Sequence, residues 1–306
     1  MLPLDYPSDT LSIVENIEPQ EVDETPEPAP QPATVAELMV SPDNPPWNGW
    51  MAIGFWALSV AFIVVVPSAF LLPYAITHVD IHDREALTNF IFTDPTAIVL
   101  QLAPVILAHI LTLAAAWFIV TRFRRFSFRH TLGWDMDGFR VWHAVLLTIA
   151  FYLFGFLMTD LFGKVNNDFE RLIDGSRVAV YLVAFLATFT APLVEEVVYR
   201  GVLYSAFQRT FGVAASVIFV TLLFTIVHVP QYSQNSVPDY ASVITLLALS
   251  LTLTLIRVRT GNLLPCIVLH MVFNGIQSLM LVLEPLLPSS TTTTPDPNGF
   301  IFHLLK

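Results

Sequence analysis

Seven stretches of this chain are each apolar for about the 20 residues that a helix needs to cross the hydrocarbon core of a bilayer. They fall at 50–73, 97–121, 142–163, 178–208, 212–232, 241–257 and 262–284. Inside lipid every backbone N–H and C=O must find its partner within the protein, so stretches of this length are read as helices. Composition agrees: of 306 residues 55% are hydrophobic and 13% charged, where a soluble domain carries about 25% charged residues. The expected fold is an all-α, polytopic transmembrane bundle of about seven to eight helices. The fourth stretch is longer than one crossing and carries Pro192, so a kink or an extension beyond the bilayer is expected there. The sixth is short.

Charge is distributed unevenly. The net charge is −11, and residues 1–50 hold ten acids with no Lys or Arg. The rest of the chain is close to neutral, so the acidity belongs to a tail and gives no reason to expect nucleic acid as a partner. Residues 1–46 are rich in Pro, Glu, Asp and Thr, too polar to offset the entropy of ordering, and are expected to be disordered. Trp47 and Trp50 suit the membrane interface where the apolar body begins. Residues 47–140 then comprise the first helices and a basic loop containing Arg122, Arg124, Arg125, Arg129 and Arg140. By the positive-inside rule this loop is cytoplasmic. Arg209, Arg257 and Arg259 fall on the same side if the helices alternate. The expectation is a multi-pass integral membrane protein, in a bacterial inner membrane, with its N-terminal tail cytoplasmic and membrane lipids around it. The segment 288–306 reads as irregular. Cys266 is the only cysteine, which excludes an intrachain disulfide and a cysteine-based metal site.

Ionisable groups inside membrane spans are costly, so each needs a reason. The fourth stretch contains Glu195, Glu196 and Arg200. Glu196 and Arg200 stand four apart on one helical face and can pair as structural support. Glu195 points about 100° away from them, without a partner on its own face. The fifth stretch approaches its end with Phe224 and His228, and the seventh carries His270 and Asn274, again four apart. Three apolar helices thus each supply a polar group at compatible spacing. His109, in the second stretch, reads as a packing or hydrogen-bonding residue, with a role in a pocket as the alternative.

A carboxylate in a low-dielectric pocket is more basic than one in water, which suits a general base near neutral pH. Glu195 with His228 could activate a water, and His270 with Asn274 could donate to a developing oxyanion. Those roles add up to peptide-bond hydrolysis. Glu195, His228 and His270 could instead hold Zn²⁺, which would activate the same water. The residues leave both open. For Glu195 and His228 to meet at one depth, the fourth helix must stay embedded past Glu195 or the fifth must extend past His228. Other intramembrane protease designs are absent: there is no His-Glu-x-x-His, no Gly-x-Ser-Gly and no Gly-Asp pair.

Glu195-Glu196-x-x-x-Arg200, Phe224-x-x-x-His228 and His270-x-x-x-Asn274, in this order on three apolar helices, resemble the CPBP intramembrane protease family. That family includes type II CAAX prenyl endopeptidases and bacteriocin-processing or self-immunity proteins. The resemblance covers about residues 140–284 and places the protease core at 141–287. It implies that Glu195 and His228 activate the water, that His270 and Asn274 stabilise the oxyanion, and that Glu196 and Arg200 support them. It implies an endopeptidase acting on peptide or protein substrates at the membrane, lipid-anchored CAAX-type substrates among them. Members have been viewed both as metalloproteases and as glutamate-dependent enzymes, and the second is the expectation here. The chain departs from the family pattern in lacking a convincing eighth helix after Leu283 and in carrying the acidic tail. The alternative function is a non-enzymatic membrane immunity or scaffold protein of the same fold.

Overall fold

The computed structural model describes residues 40–163, 165, 167–174, 176–234 and 236–284. Among them seven helices are long and apolar enough to cross a membrane: α1 Gly49–His78, α2 Pro95–Thr121, α3 Val141–Phe162, α4 Arg177–Phe211, α5 Val213–Tyr232, α6 Tyr240–Thr260 and α7 Leu264–Leu283. Their limits lie within a few residues of the hydropathy reading, apart from α1, which runs five residues further. Most of the expected tail, residues 1–39, and the C-terminal segment from 285 onward lie outside the described residues.

No more than 33% of the 18-residue apolar window of any span is buried within the protein. The outward faces carry Val64, Val65, Leu72, Leu153, Leu161, Ile218, Ile226 and Leu255, all exposed. In water this surface would drive aggregation; against acyl chains it has no cost.

Local chemistry sets the ends. Asn48 caps α1 by accepting from the Met51 N–H, Asp94 caps α2 from Ala97, and Asp239 caps α6 from Ser242. Gly212, at φ +80°, makes the break between α4 and α5, and Gly261, at φ +66°, closes α6. α2 is interrupted at Ala103–Pro104, between helical pieces Pro95–Leu102 and Val105–Thr121. Short helices Arg84–Thr93, Phe128–Leu132 and Asp168–Asp174 lie in the connections. A two-residue hairpin, β1 Ser233–Gln234 with β2 Val237–Pro238, joins α5 to α6.

α4 is the central element and packs against α1, α2, α5 and α7, while α3 packs against α6 and α7. It is neither uniformly α-helical nor sharply broken at Pro192. Two π-helical stretches, Leu186–Thr190 and Val197–Leu203, flank the α-helical Ala191–Glu196. Pro192 stands in the first turn of that middle piece, where its missing N–H does least harm.

Two glycines bring α7 to its depth. The Gly133 carbonyl accepts from the N–H groups of Leu263 (2.7 Å) and Leu264 (3.3 Å), which start α7. A Cβ on Gly133 would lie 2.9 Å from the Asn262 Cα, so no other residue fits the approach. A Cβ on Gly201 would meet Leu132 at 3.1 Å and Leu263 at 3.4 Å. The start of α7 therefore lies level with Gly201, well inside α4. The six residues from Leu264 to His270 rise about 9 Å, which brings His270 to the level of Glu195 and Glu196.

Candidate active site

Glu195 and Glu196 end the short α-helical piece between the two π-helical stretches of α4. A π turn inserts a residue into the helix and shifts the register of the faces on either side, and such turns are frequent at functional sites. The two neighbouring carboxylates meet different surroundings. Glu196 is fully buried, and the Glu195 side chain keeps 24% of its exposure.

Glu196 lies in a buried network that uses one of its two oxygens, Oε2 having no hydrogen-bond partner among the described residues. Its Oε1 accepts from Arg200 at 3.0 Å and lies 2.8 Å from His270 Nδ1. Arg200, also fully buried, donates three more hydrogen bonds to α6: to the Ser250 carbonyl and hydroxyl, both at 2.8 Å, and to Thr254 Oγ1 at 3.2 Å. Its guanidinium lies 4.7 Å from the ring centroid of Phe224 on α5. One ion pair thus links α4, α6 and α7, with an α5 ring against it. Support from Glu196 and Arg200 was expected from their spacing. Ser250, Thr254 and the Glu196–His270 contact were not, although a Ser and a Thr four apart in an apolar span are a readable polar stripe.

Glu195 faces the two histidines. Its Oε1 lies 3.8 Å from His228 Nε2, and its Oε2 lies 3.8 Å from His270 Nε2. Both distances exceed a hydrogen bond and are short enough for one water bonded to both groups to span. The opposite nitrogen of each ring is fixed. His228 Nδ1 lies 2.7 Å from the Phe224 carbonyl, which can only accept, so that nitrogen carries the hydrogen. Neutral His228 therefore presents the Nε2 lone pair to the Glu195 side. His270 is held at Nδ1 by Glu196. Phe224 packs on His228, with centroids 4.5 Å apart, and meets His270 edge-on at 6.2 Å. With both rings neutral, two carboxylates face one guanidinium, leaving one uncompensated negative charge beside Glu195.

Asn274 lies one helical turn beyond His270. Its Nδ2 donates to the Ala187 carbonyl at 2.9 Å, an acceptor in the first π-helical stretch. An amide has two N–H hydrogens, so the second stays available. α7 can come this close because Gly275 faces the same stretch; a Cβ there would lie 3.3 Å from Thr188 Cγ2. His109 of α2 meets Thr190, the last residue of that stretch, with Nδ1 2.9 Å from Oγ1, and lies within electrostatic reach of Glu195. It is a hydrogen-bonding residue in the wall of the site.

The structure thus brings Glu195, Glu196, Arg200, His228 and His270 together, with Asn274 one turn away. The depth problem posed by the sequence resolves in both of the ways expected: α4 stays helical past Glu195, and α5 continues past His228 through a 3-10 turn to Tyr232. A zinc ion would need its ligands to converge at about 2.0–2.2 Å. Here the two imidazoles approach different oxygens of Glu195. Among the described residues no group of three His, Cys, Asp or Glu side chains converges in a way that could hold a metal ion.

Residues 177–276 match the family model described as type II CAAX prenyl endopeptidase Rce1-like. The matched stretch runs from the start of α4 to two residues past Asn274, so it contains every residue of this cluster except His109. No curated protein and no solved structure matches the chain. The chain has the seven apolar helices of a polytopic membrane protein, and over residues 177–276 it is similar to the Rce1-like type II CAAX prenyl endopeptidase family.

Proposed function

We propose that this protein is an intramembrane endopeptidase that hydrolyses a peptide bond of a membrane-associated substrate, lipid-anchored CAAX-type peptides included, with a water activated by Glu195 and His228. The observation that carries the reading is the Glu195 carboxylate lying between two imidazole Nε2 atoms at 3.8 Å, with the far side of each ring anchored.

In the mechanism a water beside Glu195 and His228 donates one hydrogen to the carboxylate and the other to His228 Nε2. As its oxygen attacks the scissile carbonyl carbon, Glu195 takes the proton. The carbonyl oxygen becomes an oxyanion, which accepts from the free Asn274 N–H and, when the His270 ring is doubly protonated, from His270 Nε2. The C–N bond then breaks, and the leaving nitrogen takes the proton from Glu195. The products are a carboxylic acid and an amine. Glu196 keeps the His270 ring in place, and Arg200 compensates the Glu196 charge; neither touches the substrate. The low exposure of the histidines, 18% and 5% for the side chains, keeps bulk water from screening these charges. The N-terminal tail is assigned to the cytoplasmic side on the strength of the arginines at its end of the bundle.

The test is hydrolysis of a fluorogenic CAAX-type peptide and a small panel of transmembrane peptides by purified protein in detergent. Loss of a general base costs about 10²–10⁴ in rate. Glu195→Ala and His228→Ala should each lose activity on this scale, and a strong chelator should leave the wild type unchanged. Cleavage that stops with chelator and returns with Zn²⁺ would contradict the mechanism. Wild-type protein that cleaves none of the peptides would favour the non-enzymatic alternative.

A further inference from the structure

The last residues before α1 bind the end of the bundle opposite the hairpin. Asp43 Oδ1 accepts from Arg257 of α6 at 3.1 Å and from Gln208 of α4 at 2.9 Å. Arg257 also donates to the Pro42 carbonyl at 2.8 Å. Arg209 of α4 donates to Asn44 Oδ1 at 3.2 Å and to the Pro45 carbonyl at 2.7 Å. Arg122, just past α2, donates to the Pro46 carbonyl through two of its nitrogens. Residues 42–46 are thus a strap across the ends of α2, α4 and α6. Arg122, Arg209 and Arg257 all reach it, so those three helix ends lie together.

The strap continues into α4. Trp47, 1% exposed, donates its indole N–H to the Val202 carbonyl at 3.0 Å, and Trp56 on α1 donates to Tyr199 Oη at 3.2 Å. Both acceptors belong to the π-helical stretch Val197–Leu203, which starts directly after Glu196 and contains Arg200. On α6, Arg257 stands one turn from Thr254, and Thr254 and Ser250 hold Arg200. Asp43, binding Gln208 and Arg257 at once, sets the spacing of α4 and α6 at the level below Arg200. Arg200 spans the same two helices one level up, and its partner Glu196 fixes His270.

We propose that Asp43 and Trp47 are positioning residues for the catalytic centre: the strap they form clamps α4 to α6 and holds the π-helical stretch after Glu196, so that Glu196 keeps His270 in register with Glu195. Both residues precede the matched stretch 177–276, so that stretch is not sufficient for full activity. The catalytic half of this inference rests on the function proposed above; the structural half does not.

The experiment uses the full-length protein in detergent, as wild type, Asp43→Ala, Asp43→Glu and Trp47→Phe. Backbone hydrogen exchange over residues 197–203 reads the clamp without any substrate, and peptide hydrolysis reads kcat and KM separately. Loss of strap contacts should speed exchange in that stretch by about fivefold in Asp43→Ala and Trp47→Phe. A displacement of about an ångström at a site can cost up to about 10² in rate; the expected loss here is about tenfold in kcat, with KM unchanged and Asp43→Glu restoring most of it. If Asp43→Ala does not fold, Asp43→Asn takes its place. Unchanged exchange in both variants overturns the clamp. Faster exchange with unchanged kcat, or a change confined to KM, overturns the positioning role. If wild type cleaves no peptide, the catalytic half falls with the reading it rests on, while the exchange data still decide the clamp.

Discussion

Arg200 and Arg257 are both buried, both paired with a carboxylate, and both lie at the interface of α4 and α6. Their surroundings differ completely. Arg200 has Glu196 as its partner, and both side chains have no exposure at all. Arg257 has Asp43, whose side chain is 62% exposed. Arg200 donates to four acceptor atoms on two helices, whereas Arg257 reaches out of the bundle to the strap, and its Nε has no partner among the described residues. One pair lies wholly out of water, with Glu196 Oε2 unpartnered among the described residues, and the other sits at the water's edge. The inner pair ties α4, α6 and α7 to one another, and the outer one ties α4 and α6 to the strap.

Breaking the inner pair should have the larger effect. Arg200→Ala leaves Glu196 buried without its counter-charge, and removing one partner of a buried pair costs about 3–5 kcal/mol. The expected result is a large fall in thermal stability in detergent together with loss of activity; a melting temperature near that of wild type would show that the network does not carry the fold. Glu195→Ala sharpens the contrast from the neighbouring position, since it removes the partly exposed carboxylate and leaves the network whole. It should abolish hydrolysis and leave melting close to wild type.

Gly201→Val tests the depth of α7. The first added carbon meets Leu132 at 3.1 Å and Leu263 at 3.4 Å, and overpacking of this kind costs about 1–3 kcal/mol. Because Leu263 leads directly into α7, activity should fall with stability; stability lost at full activity would mean that His270 does not depend on this contact.

The smallest effect is expected at the strap. Asp43 is 62% exposed and keeps its end of the pair in water, so Asp43→Ala should lower stability by less than the roughly 3–5 kcal/mol expected where both partners are buried. Salt screens such pairs, so the stability difference between wild type and Asp43→Ala should shrink as salt rises, whereas that for Arg200→Ala should persist. Equal salt dependence in the two variants would remove the distinction between the pairs.

How much of this was legible beforehand follows the same division. The spans could be read because each is a long apolar run, and the ionisable residues in them stood out because the bilayer makes such groups costly. Glu195, His228 and His270 were therefore visible as candidates, and they do converge. The two π-helical stretches had no signature, since an i→i+5 turn uses the same apolar residues as an α-helix. The contact of Glu196 with His270 crosses between helices and depends on how deep α7 starts, which the Gly133–Leu263 bond decides and hydropathy cannot. Asp43 was one acid among ten in a polar stretch, and nothing in its neighbours distinguished it from the rest of the tail. Its role appears only when Arg257 and Gln208, more than 160 residues away, arrive on either side of it.

The most direct test of the central claim is the hydrolysis rate of Glu195→Gln beside wild type on the same CAAX-type peptide, with melting recorded on both. Glutamine keeps the size and the hydrogen-bonding reach of the side chain and removes only its capacity to take a proton. The account predicts a loss of at least about 10² in kcat at an unchanged melting temperature. A variant that still turns over within a few-fold of wild type would show that Glu195 is not the base, and that the water is activated elsewhere in the cluster.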